Sequence, residues 1–204
     1  RWIERLNAFY RASVEAFASE KRAVIEAPPW AALVDYQAPL KGTRKNQGSV
    51  VYGRPFDEAG RPELPSRNVI EALKQADLKR LVIGHTPIGD SPALLRDEDF
   101  EMVLADNSYG TVETGSAIVI HGSTVAVASK MLVGSEVAEV RFEAELGDPT
   151  SPLGKRVAET GDLIKGRLAS GELIRLRSVG DFRYVETALA PDSLGESRLV
   201  YRLA

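Results

Sequence analysis

From residue 115 onward the apolar residues recur at every second position, which commits the closing part of the chain to β-structure. Ala117-Ile118-Val119-Ile120 and Val125-Ala126-Val127-Ala128 flank His121-Gly122-Ser123-Thr124, a hairpin pattern with His121 at an exposed tip. Over 138–146, Ala138, Val140, Phe142, Ala144 and Leu146 form one face, and Glu139, Arg141, Glu143 and Glu145 the other. Residues 163–189 and 197–203 add short strands, with turns at Gly161-Asp162 and Gly180-Asp181. One small sheet or barrel is expected there.

Upstream the period is helical. Trp2, Ile3, Leu6, Phe9, Tyr10, Val14 and Phe17 form one stripe of a helix over 1–26, which Pro28-Pro29 ends; core packing is its expected use. A polar loop over 39–49 leads into a short strand, Val50-Val51-Tyr52, that delivers Arg54. Asp57-Glu58-Ala59-Gly60 reads as a turn. Ser66 is placed to cap a helix through Asp77 that presents Val69, Ile70, Leu73 and Ala76 on one face. Strands then follow at 80–84 and 101–105. Each runs into a polar loop, one carrying His85 and the other Asp106. In α/β sheets, ligands bind beyond the carboxyl ends of strands, so both loops are site candidates.

The expected class is α/β (α+β). Length is enough to bury roughly 70% of the unfolded surface without a staple. With 26 basic and 29 acidic residues interspersed, the chain has no polybasic face for nucleic acid or for an anionic membrane. No apolar run reaches the length of a membrane span. Cysteine is absent, which excludes disulfides, thiolate zinc sites and a cysteine nucleophile. There is no Gly-x-Ser-x-Gly elbow, no Gly-x-Gly-x-x-Gly and no phosphate loop ending in Gly-Lys-Ser/Thr. Glu98, Asp99 and Glu101 read as a solvated acidic turn.

The sharpest local signal is Leu81-Val82-Ile83-Gly84-His85-Thr86-Pro87. Glycine permits a tight turn out of a buried strand, and the histidine after it projects into the crevice. Gly84-His85-Thr86-Pro87, continued by Ile88-Gly89-Asp90-Ser91-Pro92, resembles the calcineurin-like metallophosphoesterase superfamily. The branch in question holds protein serine/threonine phosphatases and diadenosine tetraphosphatases. Val103-Leu104-Ala105-Asp106-Asn107-Ser108-Tyr109 and Val50-Val51-Tyr52-Gly53-Arg54 extend the likeness over about residues 48–120.

That resemblance implies metal-dependent phosphoester hydrolysis in the intact enzyme, with a phosphoprotein as first substrate and a nucleotide or dinucleotide polyphosphate as the alternative. It implies two divalent cations (manganese, iron or zinc), with His85 ligating one. Asp106 would orient the His85 ring and Arg54 would hold the substrate phosphate. Arg67 is the rival for Arg54's role, and Asp106 could instead simply form an Asx turn. Where many members carry a second histidine, Pro87 stands, a departure that the phosphatase-like branch tolerates. The family's Asp-x-His, Gly-Asp-x-x-Asp and Gly-Asn-His motifs do not occur here. The expectation is therefore the C-terminal half of a two-sheet αβ sandwich, inactive alone and with at most a partial metal site. Residues 1–129 would belong to the phosphoesterase domain and 130–204 to a β-rich extension of open role. A non-catalytic binding module is the contrasting reading.

Overall fold

The computed structural model describes residues 1–20, 30–41, 45–46, 48–107, 115–180 and 182–202. Two compact units emerge, Arg1–Arg54 and Pro55–Ala204. The expected boundary at 129/130 falls inside a strand of the second unit.

In the first unit, α1 (Trp2–Glu20) carries the predicted stripe, and the predicted stop at Pro28-Pro29 lies outside the described residues. The stripe is not core. Trp2, Ile3, Tyr10, Val14 and Phe17 are exposed, and the buried position is Ser13. The helix α2 (Ala31–Gln37) is only two turns long, too short to cover that face; Phe17 meets Trp30 edge-to-face at 5.3 Å. Asn46 caps α2 from outside, its amide donating to the carbonyls of Asp35 (3.1 Å) and Ala38 (2.9 Å).

Val50-Val51-Tyr52 is a turn and not the expected strand. The Ser49 hydroxyl accepts from the amides of Val51 (3.0 Å) and Tyr52 (3.3 Å), and Gly53 N donates to Ser49 O at 2.8 Å. A serine that satisfies local amides in this way competes with extended backbone.

The second unit holds three sheets. Helix α3 (Arg67–Gln75) begins after Ser66, whose side chain makes no cap bond, and stops short of Asp77. Asp77 sits at φ 58° and Leu78 N returns to Leu73 O at 2.9 Å, a left-handed cap that ends the helix. Next come β1 (Arg80–Ile83), β2 (Ala93–Asp97) and β3 (Phe100–Leu104). Their order is β1-β3-β2, with β1 parallel to β3 and β2 antiparallel to it. β2 is an element that the sequence pattern did not show.

The second sheet is β4 (Ala117–His121), β5 (Thr124–Val133) and β6 (Glu136–Glu145) in sequence order. Its predicted hairpin and two-faced β6 are both present, with Val140, Phe142 and Ala144 buried. The third is antiparallel, in the order β10-β9-β8-β7-β11. Its strands are β7 (Arg156–Val157), β8 (Leu163–Arg167), β9 (Leu173–Ser178), β10 (Tyr184–Leu189) and β11 (Leu199–Val200). So the β-rich end is two sheets and not one, joined through the Val140–Leu168 bridge. The turn expected at Gly180-Asp181 lies partly outside the described residues.

All five residues of β2 and of β3 are buried because the small sheet has a core on each face. Leu94 and Val103 join Val125, Val127, Phe142 and Ile164 on one side. Ala93, Leu95, Met102 and Leu104 join Ile70, Leu163 and Leu176 on the other. This double covering is usual for a strand paired in parallel.

Charge is buried with it. Glu101, expected in a solvated turn, is fully buried and ion-paired to both Arg80 and Arg96. Arg80 also donates to the carbonyls of Gly122 (3.1 Å) and Ser123 (2.6 Å), and Arg96 to that of Glu145. Arg156 fastens residues 55–64 to the third sheet by donating to the Pro62 and Gly161 carbonyls; burial pushes it down to about 10. Among the described residues no helix is long and apolar enough to cross a membrane.

Two predictions follow from these charges. Glu101→Ala strands two arginines in the interior and should cost about 3–5 kcal/mol in urea unfolding; a loss below about 1 kcal/mol would remove the buried-pair account. Asp57 accepts from Arg61 N (2.8 Å) and Arg61 Nε (2.7 Å). Partial burial raises its pKa, but these bonds and the Arg61 and Arg202 charges outweigh that and hold it below the ordinary 3.8. Its stabilisation is thus present above 3.8 and lost as pH falls through the lower folded value. Asp57→Asn should therefore be less stable than the unaltered chain near neutral pH, with the gap closing in thermal melts as pH falls below 3.8.

Candidate functional site

Apolar Leu81, Val82 and Ile83 make a short strand, and β1 ends where Gly84 begins the loop. The parallel partner β3 ends level with it, pairing Leu104 with Ile83, and Ala105 N donates to Ile83 O at 2.8 Å. The two site candidates thus leave adjacent strands at the same end. The Asp106 carboxylate reaches across and accepts from Thr86 N at 2.6 Å. Its other oxygen lies 3.7 Å from where a side chain on Gly84 would start. Asp106 therefore braces the backbone directly after His85.

The turn's unusual backbone falls on His85 itself and not on Gly84, at φ 61°. Histidine is one of the few residue types found repeatedly in the left-handed region, still at a cost relative to glycine. The side chain of His85 is exposed while Thr86 and Ile88 on either side of Pro87 are buried. An exposed imidazole on an anchored loop can act as a metal ligand or as a general acid/base.

Arg54 closes the first unit, its guanidinium 4.9 Å over the Tyr52 ring. Arg67 opens α3 with its guanidinium facing Asp97 (3.5 Å) and Glu71 (3.9 Å), carboxylates that occupy the charge a phosphate would need. His121 is exposed at the β4–β5 turn. Ser108 and Tyr109 lie outside the described residues. Among the described residues no three histidine or carboxylate groups gather closely enough to hold a metal ion.

Residues that the sequence reading missed stand behind the loop. Lys165 is fully buried and Asp90 nearly so, and both join Glu186. Burial lowers the Lys165 pKa, partly offset by the Glu186 charge. The only sequence signal for them was Asp90 inside the quoted motif; a lysine within an apolar strand gives no hint of its depth.

The chain was compared with protein-family models, curated proteins and solved structures, and it matches none of them.

If His85 is held at positive φ, glycine should be preferred there once the imidazole is gone. His85→Gly should be more stable than His85→Ala by about 1 kcal/mol in chemical denaturation. Equal stability would mean that the left-handed conformation is not maintained.

Proposed function

We propose that this chain contributes to a metal-dependent phosphoester hydrolase in which His85 is a metal ligand. One observation carries the reading: His85 is exposed at the carboxyl end of a strand, in a costly backbone conformation that Asp106 braces. Local strain of this kind gathers where a side chain has to be aimed. The surrounding motif, Gly84-His85-Thr86-Pro87 with Asp106 on the neighbouring strand, is the part of the sequence that resembles the metallophosphoesterases.

The donors present fit only part of a two-cation site. His85 offers one imidazole nitrogen, and one oxygen of the Asp106 carboxylate is engaged by Thr86 N. The remaining ligands would come from outside these 204 residues. In this reading the chain's own task is to present the imidazole in one orientation. Bound divalent cations would supply charge neutralisation and an activated water. A phosphoprotein is the first substrate class, with nucleotide polyphosphates second.

The coding sequence upstream of Arg1 should encode Asp-x-His, Gly-Asp-x-x-Asp and Gly-Asn-His. In the protein made from that longer frame, His85→Ala should lower manganese-dependent hydrolysis of p-nitrophenyl phosphate by roughly 100-fold or more, with the fold retained by circular dichroism. Absence of those motifs, or unchanged turnover in the variant, would defeat the proposal.

A further inference from the structure

We propose that Lys165 and Glu186 are a positioning pair through which the five-stranded sheet fixes residues 88–90 and, with them, the loop that presents His85. The inference rests on the reading of His85 as a ligand and gives the C-terminal sheet a role in it.

The contacts converge on three consecutive residues. Lys165 Nζ donates to the Ile88 carbonyl at 2.9 Å and to Glu186 Oε1 at 2.5 Å. The second carboxylate oxygen, Oε2, accepts from Asp90 N at 2.7 Å. Between them, Gly89 has φ 99°, and a Cβ there would fall on the Glu186 carboxylate. Asp90 is tied in turn, its Oδ2 accepting from Leu132 N at 3.1 Å. The loop therefore leaves β1 braced by Asp106 and meets a second brace three to five residues after His85.

The strand geometry that produces this is particular to one position. The β8–β9 register shifts between Ile164 and Gly166, which leaves Lys165 as the extra residue of a bulge. Bulges re-aim a side chain, and they gather beside functional sites. Gly166 completes it, since a Cβ there would lie 2.7 Å from the Phe142 ring. Leu163 and Ile164 on the same strand pack into the two apolar cores. A methionine at Lys165 would pack there with no desolvation to offset, so burial of an ion pair at this spot is poor economy for stability alone. What the pair adds is direction: it satisfies one carbonyl and one amide of a loop that has no ladder of its own.

Amide hydrogen exchange on the 1–204 chain tests this. In the unaltered chain, Asp90 N and Thr86 N should exchange within about 10-fold of Ile164 N in β8, because the loop is released only when the sheet opens. Loop amides exchanging about 1,000-fold faster than Ile164 would overturn the proposal. Two charge-neutral double variants separate positioning from general loosening. K165M/E186Q keeps an acceptor for Asp90 N but loses the lysine's bond to the Ile88 carbonyl, so exchange there should rise about 3-fold, and no change would remove Lys165 from the pair. K165M/E186L removes both loop contacts and should raise exchange at Asp90 and Thr86 at least 10-fold or so, with Ile164 unchanged. Equal acceleration at all three amides, or none, would overturn the pair's positioning role. Should either variant fail to fold, the measurement on the unaltered chain still decides. Manganese-dependent turnover of His85→Ala in the longer frame is read in parallel. Unchanged turnover would count against His85 as a ligand while leaving the exchange result intact.

Discussion

One carboxylate organises the second unit. Glu101 lies on the central strand of the smallest sheet and binds an arginine from each flanking strand. Those arginines also donate to carbonyls beyond the sheet, Arg80 to Gly122 and Ser123 and Arg96 to Glu145 and Asp148. The open end of the β5–β6 hairpin, where Thr124 pairs with Glu145, is thereby referred to a single buried charge. An apolar cluster would pack as well, but it would not dictate which carbonyls come to rest where. Directional bonds of this kind favour one arrangement over near alternatives.

The parallel pairing of β1 with β3 is the constraint that matters for the site. It brings the ends of two strands 21 positions apart into register, so that Asp106 stands beside the residues flanking His85. The sequence spacing alone left open whether those strands were neighbours. The intervening β2 decides it, because it turns back against β3 and leaves β1 on the other side.

Much of this was legible, and the rest was hidden for identifiable reasons. Period-two alternation marked β6 because one of its faces is dry and the other wet, and the strand entering Gly84-His85 announced itself by its apolar run. Periodicity failed at α1, whose stripe reads as core yet, among the described residues, is largely exposed beside a two-turn helix. It failed again where short polar side chains satisfied the backbone locally, as Ser49 does for Val51 and Tyr52. Composition misled at Glu101 and was silent at Lys165. Their depth depends on partners 21 residues away in sequence, Arg80 for one and Glu186 for the other, which no local window contains. At the candidate site the histidine and its neighbouring aspartate were visible in the motif, whereas the strain at His85 and the brace at residues 88–90 belong to the fold.

The Lys165–Ile88 and Glu186–Asp90 bonds span 77 and 96 residues, which sets an order of events in folding. Contacts closed over such loops form after local ones, because the ends must first be brought together. The β5–β6 hairpin, paired from Thr124↔Glu145 to Val133↔Glu136, can assemble from what is near at hand. During synthesis His85 emerges about a hundred residues ahead of the carboxylate that steadies its loop. A growing chain would thus have its hairpins in place while this loop still lacks its final shape, and any ligand that needs the imidazole held in one direction can be gripped only once β10 has joined the sheet.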